Sequence, residues 1–198
     1  MSGFVDPVSL TGQRWVALEP LGQEHIPEIA QAAADGELGR LWFTHAPKAE
    51  APEKWVEMRL AAQKPDEGLT FVVRGLDGTF LGSSSYLNVD AVNRRLEIGN
   101  TWYVASARRS GVNTETKLLM LGHAFDGLNC VAVEFRTHFF NFTSRDAIER
   151  LGAKLDGVLR SQQLLPDGSR RDTVVYSILD IEWPAVRNNL RYRLERNG

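Results

Sequence analysis

Arg108-Arg109-Ser110-Gly111-Val112-Asn113-Thr114-Glu115 joins a strand-like run to a helical one, and the fold turns on that junction. Upstream, residues 96–104 are rich in β-branched and aromatic side chains; downstream, Leu118, Leu121, Phe125 and Leu128 recur at helical spacing. A turn with two arginines and a glycine thus feeds a helix N-terminus, where unpaired backbone N–H groups and the positive end of the helix dipole converge. Such a turn suits a phosphate or pyrophosphate. The same residues also serve a plain strand-to-helix turn with Asn113 as its N-cap, so the stretch alone leaves both readings open.

Working outward, 198 residues with 43% hydrophobic composition fit a single domain with a substantial core, and residues 1–12, rich in Gly, Asp, Pro and Ser, read as a loose tail. A net charge of −2 from 23 basic and 25 acidic residues argues against a broad nucleic-acid or anionic-membrane footprint. No run reaches the roughly 18 apolar residues of a membrane helix, and the first residues lack the order of a signal peptide, so a cytoplasmic protein is expected. The single cysteine, Cys130, excludes an intramolecular disulfide and sits in an apolar run, as a small buried hydrophobe would. Four scattered histidines show no metal-ligand spacing, and no metal is expected.

Along the chain, residues 14–18 read as a strand, 23–34 as a helix with Ile26, Ile29 and Ala33 on one face, and Pro52 fits the first turn of a second helix. The period then changes to two. Residues 70–74 and 79–87 form a hairpin about Asp77-Gly78, and 94–104 return as a third strand. The opening turn, a helix over 113–127 and a strand over 131–137 make a strand-helix-strand unit, which crosses over to a parallel neighbour. A helix over 144–151 stopped by Gly152, a final strand pair over 155–160 and 173–179, and a helix over 184–194 complete the order.

The turn lacks the Gly-Lys-Ser/Thr of a P-loop and the spaced glycines of a dinucleotide fingerprint. Arg108 and Gly111 with the helix after them resemble instead the R-x-x-G-x-G/A signature of the GNAT N-acetyltransferases, with Asn113 in place of the last Gly/Ala. Asn141, Ser144, Ala147, Ile148, Leu151 and Gly152 resemble the N-x-x-S-x-x-x-I-x-x-L-G pattern that ends that family's cofactor half. The closing segment from Pro166-Asp167-Gly168 to Glu182-Trp183-Pro184 is similar to the RimJ/RimL-like branch. The resemblance implies an α+β fold with a mixed, mostly antiparallel central sheet flanked by helices. It also implies acetyl-CoA as co-substrate and direct transfer of the acetyl group to a primary amine, for instance a protein N-terminal α-amine, with a homodimer common among relatives. A non-catalytic acyl-CoA-binding or regulatory module is the alternative.

The same resemblance supplies the site. Arg108, Arg109, Ser110, Gly111, Val112, Asn113 and Thr114 would hold the coenzyme A pyrophosphate, and Asn141 the cofactor's lower arm. Glu97, on the strand before the turn, stands where several relatives carry a base; a carboxylate tied to a neighbouring strand is the competing reading. The splayed end of that strand, residues 100–104, would offer a backbone N–H to the thioester carbonyl. Ser144 would protonate or hydrogen-bond the departing sulfur, unless it is simply the N-cap of the helix that follows. Trp42, His45, Tyr86 and His138 are the acceptor-pocket candidates. Phe139, Phe140 and Phe142 either wall the thioester channel or, for at least two of them, pack in the core.

Overall fold

A computed structural model describes residues 3–34, 46–63 and 67–196. Trp42 and His45 lie outside the described residues. Hydrophobic alternation from residue 69 onward produces the centre of the molecule, a sheet of order β1-β2-β3-β4-β5-β6-β8-β7. Its strands are β1 (Leu10–Thr11), β2 (Val16–Pro20), β3 (Leu69–Gly75), β4 (Phe80–Asp90), β5 (Arg95–Tyr103), β6 (Ala132–His138), β7 (Lys154–Leu164) and β8 (Arg170–Leu179). Of the seven described strand pairs only β5–β6 is parallel, because a helix crosses between these two strands. The mixed, mostly antiparallel architecture expected from the sequence is the one observed.

Helices cover both faces. The crossover helix α3 (Val112–Gly122), continued by a π-helical turn over His123–Gly127, packs on one face with α5 (Trp183–Arg196). Met120 and Leu121 are fully buried there against Tyr86, Leu96 and Ile98. On the other face α1 (Ile26–Ala34) and α2 (Pro52–Ala61) bury Ile29, Trp55 and Val56 against Val72 and Trp102. Arg74 on β3 clamps α1 through a two-pronged pair to Glu28 (2.7 and 2.8 Å) and also pairs with Glu19 on β2. The remaining helix, α4 (Phe142–Leu151), ends at Gly152, whose φ of 104° is the left-handed C-cap that glycine adopts without strain.

Two sequence expectations need correction. Of the loose tail expected over 1–12, the described residues are packed: Val5 is buried in the core, and Leu10–Thr11 pair with Leu18 and Ala17 as an edge strand. Asn113 is not the N-cap of α3, which begins at Val112 with Gly111 in that position. Cys130 is buried as expected, with burial pushing its thiol up to about 11.

Candidate functional site

The parallel ladder between β5 and β6 is short. Arg95, Leu96 and Glu97 pair with Ala132, Val133 and Glu134, and then the strands part: β5 continues on β4 and β6 on β8. Where they part, β5 is also bulged, with a register shift opposite Ser83–Ser85 and Asn100 at φ 49°. The bulge reverses the alternation, so Trp102 joins the face of α1 and α2 whereas Leu96 and Ile98 face α3. Backbone groups of β5 beyond Glu97 therefore have no β6 partner. This is the splayed strand end expected from the sequence.

Glu97 stands at the fork. Its side chain is 7% exposed and accepts a hydrogen bond from Asn88 Nδ2 at 2.7 Å, with Arg136 Nε 3.6 Å away. Gly99 leaves room for this carboxyl: a Cβ there would lie 2.9 Å from Glu97 Oε1. Burial holds Glu97 above the usual carboxylate range, opposed by the Asn88 hydrogen bond and the Arg136 charge. Across the fork, Glu134 is taken up by Arg95 and by Arg136 (2.9 Å), which leaves Glu97 the less neutralised of the two acids. The structure thus gives Glu97 a partner on a neighbouring strand and also a proton affinity perturbed by burial where the two strands part.

The turn lies at the other end of β5. Arg108 and Arg109 are exposed, and Arg109 takes the left-handed conformation (φ 59°). The first intrahelical bond of α3 runs from the Glu115 N–H to the Gly111 carbonyl, so the N–H groups of Val112, Asn113 and Thr114 lie outside the helical ladder. Ser110 Oγ accepts from Val112 N–H (3.2 Å) and donates to the Ala107 carbonyl (2.6 Å), bracing the turn. Asn113 does not crowd it, because its side chain accepts from Tyr103 OH at 3.2 Å. Gly111 is required by a neighbour: a Cβ would sit 2.3 Å from Trp15 Nε1, an indole N–H buried without a hydrogen-bond partner. Two exposed arginines in the turn, the N–H groups of Asn113 and Thr114 outside the helical ladder, and the Asn113 side chain held by Tyr103 fit a pyrophosphate.

On the far side of the fork, Asn141 is the N-cap of α4, its Oδ1 accepting from Ser144 N–H at 3.1 Å. Ser144 is therefore not the cap, and its half-buried hydroxyl is available for other work. Asn141→Ala is expected to cost about 1 kcal/mol in thermal or urea unfolding, whereas Ser144→Ala leaves stability within about 0.5 kcal/mol. The reverse order of losses would return Ser144 to the cap.

The acceptor candidates divide. Tyr86 is fully buried with its hydroxyl donating to the Met120 carbonyl (2.7 Å), so it is a core residue and not a pocket wall. His138 is buried at the end of β6, its Nδ1 accepting from Phe140 N–H, and borders a hollow of about 600 Å³ with Phe139, Arg160 and Asp172. Burial, with the Arg171 charge, lowers its proton affinity. Phe139 packs against the core, but Phe140 and Phe142 are 58% and 56% exposed, so two of the three are not core residues. Sequence reasoning missed Trp15, Glu115 and Lys117, all at or beneath the turn. The interruption of the apolar spacing at 115–117 was the available signal.

Comparisons with known proteins bear on the family and the fold. The family model described as an acetyltransferase (GNAT) domain matches residues 16–154. A Bacillus subtilis (strain 168) protein named ribosomal N-acetyltransferase YdaF is 34% identical over 107 residues, 54% of this chain and 57% of that protein, so the match spans little more than half of that curated relative. A solved GCN5-related N-acetyltransferase from Brucella melitensis superposes with a TM-score of 0.85 at 30% identity, over 98% of this chain and 89% of that one. Mycobacterium smegmatis RimJ, solved with a CoA-disulfide, shares the fold at a TM-score of 0.79 and 21% identity, over 98% of this chain and 97% of that one.

Proposed function

The chain belongs to the GNAT acetyltransferase family, and on that premise we propose that it carries an acetyl group from acetyl-CoA to a primary amine, with a protein N-terminal α-amine as the favoured acceptor. The observation that carries the reading is the pairing of an arginine-bearing helix start with a forked strand pair that holds a buried carboxylate. Arg108, Arg109 and the N–H groups opening α3 bind the pyrophosphate. The thioester arm lies between the parted strands, with Asn141 toward its lower end.

Transfer is direct. The amine nitrogen attacks the thioester carbonyl, whose developing oxyanion is met by an unpaired N–H of β5 beyond the fork. The amine proton passes to Glu97, directly or through water; the carbon–sulfur bond breaks, and the thiolate leaves toward the Ser144 hydroxyl. An α-amine has a reference pKa of about 7.7 to 8.0 against about 10.4 for lysine, so a carboxylate whose proton affinity is raised by burial suffices as base.

Thiol release from acetyl-CoA with a panel of peptides and small amines tests the reading. Turnover is expected with at least one free α-amine and none with the same peptide blocked. Calorimetry with coenzyme A alone is expected to show binding that Arg108→Ala weakens about tenfold and Gly111→Asp abolishes. Binding without any turnover would make the chain an acyl-CoA-binding module instead, and no binding at millimolar coenzyme A would overturn the proposal.

A further inference from the structure

Beneath the turn, α3 sends a lysine into the sheet. Lys117 is 4% exposed, and its Nζ donates to Ser84 Oγ on β4 (2.8 Å) and Thr101 Oγ1 on β5 (2.7 Å). The two hydroxyls also bond each other at 2.8 Å. Both partners are neutral. A buried lysine with no acid beside it is costly to keep charged, and burial pushes this one down to about 7.

Its position is what gives it a use. Ser84 is fully buried, but Thr101 is exposed on the arm of β5 that has left β6, one residue beyond the left-handed Asn100. One ammonium thereby joins the helix whose N-terminus faces the pyrophosphate to the strand arm that lines the thioester channel. We propose that Lys117 is a proton-coupled positioning residue for acyl-CoA: it ties the β5 arm to α3, and seating the anionic cofactor on the turn draws a proton onto it.

The surrounding titratable groups leave that role to Lys117. On α3, Glu115 turns its carboxylate to the backbone N–H groups of residues 13–16. His123, near the helix end, lies against Tyr86 and is pushed down by burial. From the sheet and the segment before β6, Tyr86, Tyr103 and Cys130 are all held well above neutrality by burial. Lys117 lies five residues (117 − 112) into α3, about 7.5 Å along its axis. At roughly 10 Å and an effective dielectric near 20, each phosphate charge raises its proton affinity by about one pK unit.

This inference rests on the acetyl-CoA reading, and the experiment separates the two. Calorimetry of coenzyme A binding at pH 7.5, in buffers of different ionisation enthalpy, counts the protons taken up. The phosphates of coenzyme A titrate alike with every protein, so the difference between proteins belongs to the lysine. Wild type is expected to take up about half a proton more than Lys117→Met or Lys117→Arg. Its affinity falls as pH rises from 7 to 9, and that of Lys117→Met stays comparatively flat.

A folded variant that takes up as many protons as wild type overturns the inference. Should both variants fail to fold, the 13Cε resonances of wild type decide. One lysine must titrate near neutrality and move upward by about a unit or more when coenzyme A is added, apart from Lys48, Lys54, Lys64 and Lys154. Spectra in which every lysine titrates near 10 overturn it. Wild type that binds no coenzyme A overturns the acetyltransferase reading itself.

Discussion

Glu97→Gln is expected to lower kcat about 100-fold at pH 7 with little change in coenzyme A affinity, because the amide keeps the shape of the side chain but cannot accept the amine proton. In the wild type, kcat/KM should fall as pH drops through the raised Glu97 pKa, and that limb should vanish in the variant. Stability should move the other way. A folded pKa above the reference 4.5 means the native state binds the proton more tightly than the unfolded chain, so folding loses free energy as pH rises from 4.5 through the folded value. Glutamine has no charge to desolvate and can still accept from Asn88 Nδ2 through its carbonyl oxygen. The variant should therefore be at least as stable as wild type at pH 7 while nearly inactive, a combination expected when strain is kept for chemistry. An unchanged kcat and pH profile would remove Glu97 as the base and leave it a strand carboxylate held by Asn88 and Arg136.

How much of this was legible depends on the distance over which the signal acts. The strand-helix-strand unit could be read directly because β-branched residues before the turn and apolar residues at helical spacing after it are local patterns. Strand β1 could not: two residues carry no period, and only pairing with Ala17 and Leu18 makes them a strand. The polar part of the inner face of α3 is hidden from sequence for a related reason. Leu118 is only half-buried, whereas Glu115 and Lys117 are buried because backbone donors of residues 13–16 and hydroxyls from β4 and β5 meet them there. A polar side chain is buried when its partner is far along the chain, and spacing holds no record of that partner. The candidate site was legible to the same extent: the turn and Asn141 through local motif, Glu97 through its place on the strand, Lys117 only as an interruption of apolar spacing, and Trp15 not at all.

Glu115 carries the second large effect. Its carboxylate is 4% exposed and accepts four backbone N–H groups, from Gln13 (3.0 Å), Arg14 (3.1 Å), Trp15 (2.6 Å) and Val16 (2.8 Å). Successive amides turned toward one anion form a nest, and Gly12 completes it, since a Cβ there would lie 2.5 Å from the carboxyl carbon. These four bonds fasten the entry to β2 directly to α3. Glu115→Ala leaves these donors facing a void, and the loss of several charge-assisted bonds is expected to cost roughly 4 kcal/mol, less than their sum because some of the freed amides reach water. Glu115→Gln should fare little better, because its NH2 would point at N–H groups. Urea unfolding measures both as a lower midpoint at unchanged slope, and hydrogen exchange should show residues 13–16 losing protection first. The consequence reaches the turn through Trp15, whose indole rests on Gly111: once β2 is unpinned, the turn loses its backing and coenzyme A affinity falls in a variant that touches no ligand. An alanine variant within 1 kcal/mol of wild type, with amides 13–16 still protected, would show that the hairpin is held by its ladder alone.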